Sequence, residues 1–120
     1  MVALTPVITR SIDLARSTGA GFHAEPLVRR GALQQTVLAL TEGTRLTEHE
    51  AEVPASLYLL HGAIRVEAPE PFVIGQGELH ELPDRRRAVV AVEDTVMLLS
   101  AATDGSADGF ALREYVLAPE

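Results

Sequence analysis

The sequence predicts an all-β sandwich or barrel, and three observations lead there. From Leu33 onward the apolar and β-branched residues come in short runs, at 34–40, 57–60, 63–66, 72–74, 88–92 and 96–101. Turn formers separate them: His61-Gly62, Gly75-Gln76-Gly77, Pro83 and Glu93-Asp94-Thr95. Strands of four to eight residues punctuated by Gly, Pro and Asp are the signature of such folds. Seven prolines spread between the runs count against a helical bundle, because proline in a helix interior removes a hydrogen bond and clashes with the preceding turn.

The elements follow in order. Residues 1–30 differ in texture from the rest. Residues 11–16 suit a turn or two of helix, which Ser17-Thr18-Gly19-Ala20-Gly21 ends. The stretch reads as an arm that packs on the barrel or on a partner subunit, and the barrel itself is expected over 31–120. Residues 57–60 and 63–66 flank His61-Gly62, which suits a tight hairpin because glycine accepts a positive φ. Residues 78–82 run up to Pro83, the acidic turn 93–95 joins two apolar strands, and a polar loop at 103–109 precedes a last alternating segment, 110–117. No internal repeat is present.

Composition removes several functions. The chain has 120 residues and fits one domain. It has no cysteine, so disulfides, thiolate nucleophiles and Cys-bound zinc are excluded. It has no lysine, which argues against Schiff-base chemistry. Ten arginines stand against seventeen acids for a net charge of −7. No nucleic-acid partner is expected, since neutralising phosphates needs a basic face. No apolar run approaches the roughly 20 residues of a membrane-spanning helix, so no membrane partner is expected. The N-terminus does not read as a signal peptide, and a cytoplasmic location is the expectation. Neither a serine-histidine-acid pattern nor a phosphate-binding glycine loop occurs.

Two segments carry a family resemblance. Gly43-Thr-Arg-Leu-Thr-Glu-His49-Glu-Ala51, followed by Ala55 and Gly62, has the spacing of the first cupin motif, and Gly77-Glu-Leu-His-Glu-Leu-Pro83 that of the start of the second. Over about residues 31–102 the chain resembles the small single-domain cupins. The resemblance implies a double-stranded β-helix, or jelly-roll barrel, here with a short N-terminal arm. In metal-dependent cupins two histidines at i and i+2, a glutamate and a third histidine point into the barrel and hold an ion. At the matching positions this chain has His49, Ala51 and Ala55. The third histidine falls at Ala88 counting from Pro83, or at Arg87 counting back from Ala91-Val92-Glu93-Asp94. One imidazole cannot hold a divalent ion where three or four protein ligands are usual, so no metal and no cofactor are expected.

The remaining candidates are ligand-binding ones. His49 can act as a base or as a hydrogen-bond donor, and the alternative is a histidine bonded to the barrel wall. His80 shares a face with Leu82, and Glu81 shares the other with Leu79; whichever faces inward would join His49. Arg87, in the run Arg85-Arg86-Arg87, suits a carboxylate or phosphate, against a solvated loop paired with nearby acids. Leu57, Leu59 and Val89 or Val90 are expected to line a small cavity beside His49. Arg87 alternates with Val89 and Ala91, and Ala88 with Val90 and Val92, so the inward set decides which position faces a ligand.

Three readings of function follow. The leading one is a metal-free barrel that binds a small molecule, an anion among the candidates, or serves as a dimeric scaffold. A second is a metal-independent isomerase or epimerase with His49 as base, which the resemblance permits. The third is a metalloenzyme with relocated ligands, His49 with His80 or Glu81. A homodimer is expected, because open strand edges invite pairing and cupins commonly associate.

Overall fold

The computed structural model describes residues 3–48, 54–81, 88–102 and 115–117; of Glu48 and of the last segment only the backbone is considered. Among the described residues one helix, α1 (Leu4–Ser17), precedes ten strands: β1 (Phe22–Arg30), β2 (Leu33–Leu40), β3 (Arg45–Glu48), β4 (Ala55–His61), β5 (Ala63–Glu67), β6 (Phe72–Gly75), β7 (Leu79–Glu81), β8 (Ala88–Ala91), β9 (Thr95–Ala102) and β10 (Tyr115–Leu117). They form two five-stranded sheets, ordered β1-β2-β9-β4-β7 and β10-β3-β8-β5-β6, and neighbouring strands run antiparallel throughout. The fold is the all-β barrel the sequence predicts.

Alternation along the strands divides the molecule into two apolar clusters. Leu38, Leu40, Leu57, Leu59, Met97 and Leu99 of the first sheet face Leu46, Ile64, Val66, Ile74, Val89 and Ala91 of the second and fill the barrel. The opposite face of the first sheet presents Val37, Ala39 and Val96 to Val7 and Ala15 of α1, with Ile8, Ile12, Leu27, Leu60 and Leu98 around them. The helix thus closes one outer face of the barrel.

The N-terminal thirty residues are more ordered than an arm with a turn or two of helix. Pro6 lies in the first turn of α1, where its missing N–H costs nothing. The buried stripe Val7, Ser11, Ala15 has helical spacing, but the serine at its centre hides it from a hydrophobic count. Gly19, at φ +76, ends the helix, and the Thr18 hydroxyl donates to the Ala15 carbonyl at 3.0 Å. Phe22–Arg30 then pairs along the whole of β2, with an irregularity between Pro26 and Val28. An edge strand tolerates that proline because its outer side has no partner to bond.

The connection at His61-Gly62 is not a hairpin. β4 pairs with β7 and β9, whereas β5 pairs with β6 and β8 in the other sheet. Gly62 has the positive φ expected, +84, but it turns a corner between sheets. The acidic turn after β8 makes a second corner, since β8 and β9 also lie in different sheets. No described helix is long and apolar enough to cross a membrane.

Candidate functional site

The two ends of the barrel differ. At one end the loops are knitted together by backbone. The Gly43 N–H donates to the Ala91 carbonyl at 2.8 Å, Ala91 N–H to Thr44 at 3.0 Å, and Gly77 N–H to Leu59 at 2.8 Å. Asp94 fastens this end to the helix: its carboxylate accepts from the Glu42 N–H at 2.9 Å and from Arg16 Nε at 3.1 Å. The Glu42 N–H first, and Arg16 second, hold the Asp94 carboxyl below the usual carboxylate range.

At the opposite end lie the last residues of β3, β7 and β9 and the first of β4, β8 and β10. The register fixes this: Tyr115 pairs with Glu48, Thr47 with Ala88, Ser56 with Glu81 and Ala55 with Ala101. His49, Ala51 and Arg87 belong to this part of the sequence, and all three lie outside the described residues.

Two inward rows of the first sheet can be read off at this end. Antiparallel partners directly opposite one another share a face. Arg29, Gln34, Ala101 and Ala55 form the outer row, and Pro26, Thr36, Leu99, Leu57 and His80 the next. Gln34 and Thr36 are buried, and both occupy inward positions on a strand whose next inward residues, Leu38 and Leu40, belong to the barrel core. The sequence reading missed this pair. Counting back by twos from Leu40 and Leu38 would have found it, but the adjacent Gln34 and Gln35 conceal the alternation.

The other candidates separate by face. Leu57 and Leu59 point into the barrel and are fully buried. His80, opposite Leu57, is the inward member of its pair, is half-buried, and has its ring 4.9 Å from that of Phe72 at an angle of 59°. That contact joins the edge strand of one sheet to the edge strand of the other. Glu81 is exposed, as is Leu79, so Glu81 and His80 do not come together on one face. Val89 and Ala91 are the inward set of β8, the set whose parity Arg87 shares. Counting from Pro83 had offered Ala88 as the third-histidine position; it has the outward parity of Val90 and Val92.

The cupin fold implies a metal bound by three histidines and a glutamate. Ala55, at the glutamate position, is buried among the apolar residues of the core and offers only a methyl group. Among the described residues no three His, Asp or Glu side chains lie together as an ion would require. With alanine also at position 51, the residues present do not fit that donor set.

No protein-family model and no curated protein sequence matches the chain. Solved structures do. Ectoine synthase from P. lautus superposes with a TM-score of 0.68 at 14% identity, over 100% of this chain and 93% of that one. A cupin superfamily protein from Desulfitobacterium hafniense gives 0.63 at 14%, over 69% and 78%. A conserved protein of unknown function from Streptococcus pyogenes gives 0.61 at 26%, over 68% and 74%. Together with the two antiparallel sheets and their strand order, these likenesses establish the architecture: the chain folds as a β-barrel of the cupin type.

Proposed function

We propose that the barrel is a binding module that holds a small anionic molecule at the end where β3 and β8 pair, without the cupin metal set. The observation that carries this reading is the buried methyl of Ala55 where a metal-binding cupin has its glutamate, in the same inward row as Gln34. Such a wall suits a ligand with an apolar body and a few polar groups. Arg87 directly precedes Ala88 and His49 directly follows Glu48, so the chain tethers both to neighbouring strands. Arg87 shares sequence parity with the inward Val89 and Ala91, and a guanidinium suits a carboxylate through paired N–H donors. Thermal-shift and calorimetric titration with succinate, benzoate and hexanoate tests the reading. Stabilisation by at least one carboxylate is expected, lost in Arg87→Ala and weakened in His49→Ala. No response to any of them would leave a scaffold.

A homodimer is the companion proposal, and one feature favours it. On the outer face of the first sheet Val37, Leu98, Tyr58 and Leu79 form a row, of which α1 covers the first part; Tyr58 is 39% and Leu79 70% exposed. Apolar surface continuous with a packed interface is costly to leave in water. Light scattering at micromolar concentration should report a dimer, and Tyr58→Lys with Leu79→Lys should give a monomer. A monomeric parent would end the proposal.

A further inference from the structure

We infer that the outer face of the second sheet is a docking surface for another protein, and that it takes an amphipathic helix with a carboxylate in its apolar stripe. The inference stands apart from the ligand site at the end of the barrel.

An antiparallel sheet has its outer face either covered or polar. The first sheet is covered, by α1. The second carries no described helix, and its outward residues are not those of a solvated face. Ile64, Val66, Ile74, Val89 and Ala91 point into the barrel, so their neighbours along each strand point out. Val73, Arg65, Val90 and Arg45 form one outward row across β6, β5, β8 and β3. In the next row Val92 stands beside Ala63, whose carbonyl accepts the Val92 N–H at 2.9 Å. Val73 is 59% and Val92 44% exposed. Val90 and Ala63 lie between them, so the exposure is one continuous patch and not scattered side chains. Such a patch marks a contact surface.

Charge selects the partner. The chain as a whole carries −7, yet the patch holds Arg45 and Arg65 against Glu67. Arg45 takes both Glu67 oxygens, at 2.7 and 3.1 Å. Arg65, exposed between the valines, makes no hydrogen bond and no ion pair among the described residues. An arginine ringed by aliphatic side chains and open to a carboxylate is a common interface anchor. The first sheet uses the same device with the signs reversed. There the helix brings the cations, Arg10 Nε at 3.3 Å from Glu25 and Arg16 Nε at 3.1 Å from Asp94, on either side of its buried stripe. A second copy of the chain does not fit the second sheet. Its α1 would bring Arg10 and Arg16 with one acid, Asp13, and two copies of the face would oppose arginine to arginine. The partner is a different protein, and its helix is acidic.

Stapled helical peptides of the length of α1 test this. Each presents leucine and valine on one face, with glutamate, glutamine or lysine at the centre of that stripe. Binding to the full chain is read by fluorescence anisotropy. The glutamate peptide should bind the parent with a dissociation constant on the order of 10 μM, about tenfold more tightly than the glutamine form, and the lysine form should be weaker still. Arg65→Gln should erase that preference, and Arg65→Glu should reverse it in favour of lysine. Val73→Gln with Val92→Gln should weaken the glutamate peptide about tenfold, while Tyr58→Lys on the first sheet leaves it unchanged. No binding to the parent, no discrimination among the peptides, an order that survives Arg65→Glu, or loss of binding in Tyr58→Lys each overturns the inference. So does a dimer that Val73→Gln with Val92→Gln dissociates, since the face would then be a contact between copies. Carboxylate binding in the barrel is measured separately and is untouched by any of these results.

Discussion

Thr95 locks Ala63 at the point where the chain passes between sheets. Its buried hydroxyl takes the Ala63 N–H at 3.2 Å and lies 2.8 Å from the Glu93 carbonyl and 3.0 Å from that of Ala63, which also accepts the Val92 N–H at 2.9 Å, so the side chain ties the residue that starts β5 to the turn before β9. Gly62 makes this possible. A Cβ there would stand 2.7 Å from Thr95 Oγ1 and would collide with the Asp94 carbonyl, on a backbone already at positive φ.

Gly62→Ala is therefore expected to lower stability by about 3 kcal/mol, from strain and overlap together. Thr95→Val should cost about 2 kcal/mol, because it leaves a buried N–H without its acceptor. Urea unfolding midpoints measure both. A change below a few tenths of a kcal/mol in either would show that the corner is not locked in this way.

Asp94 should make stability fall in acid. Its folded carboxyl titrates below its unfolded value, so its contribution is complete above pH about 4 and disappears as pH drops through the lower, folded value. Asp94→Asn should be about 1 kcal/mol less stable than the parent at pH 7, and the gap should close as the pH falls below about 4. A gap that stays constant into acid would contradict the assignment.

Ser11 predicts the opposite kind of change. It is completely buried between α1 and the first sheet, and its Oγ has no hydrogen-bond partner. Ser11→Ala removes an unsatisfied hydroxyl and improves helix propensity, so the variant should be about 1 kcal/mol more stable. A lower unfolding midpoint would mean that the hydroxyl has a role that its surroundings do not reveal.

The legible part of the sequence was the local part. Short runs such as Ala88–Ala91 and the residues of β9 announce themselves by composition, and Gly62 announces a positive φ. What Gly62 could not announce is the partner of each flanking strand, because pairing of β4 with β9 and of β5 with β8 is set by contacts distant in sequence. β1 was missed since His23, Glu25, Pro26 and Arg29 interrupt its apolar residues, which an edge strand permits. Of the candidate site, Ala55, Leu57 and Leu59 lie inward as the motif spacing implies. Gln34 and Thr36 carry no motif and became visible only through the register with Ala101 and Leu99.

The central claim, a cupin-type barrel that binds its ligand without the usual metal, is tested most directly by one titration. Protein stripped with a chelator is titrated with the best-binding of succinate, benzoate and hexanoate, with and without added iron, manganese or zinc, and its metal content is read by elemental analysis. The expected result is the same affinity in stripped and metal-supplied protein, with no stoichiometric metal. Binding that appears only when about one equivalent of metal is restored, and is lost in His49→Ala, would contradict it.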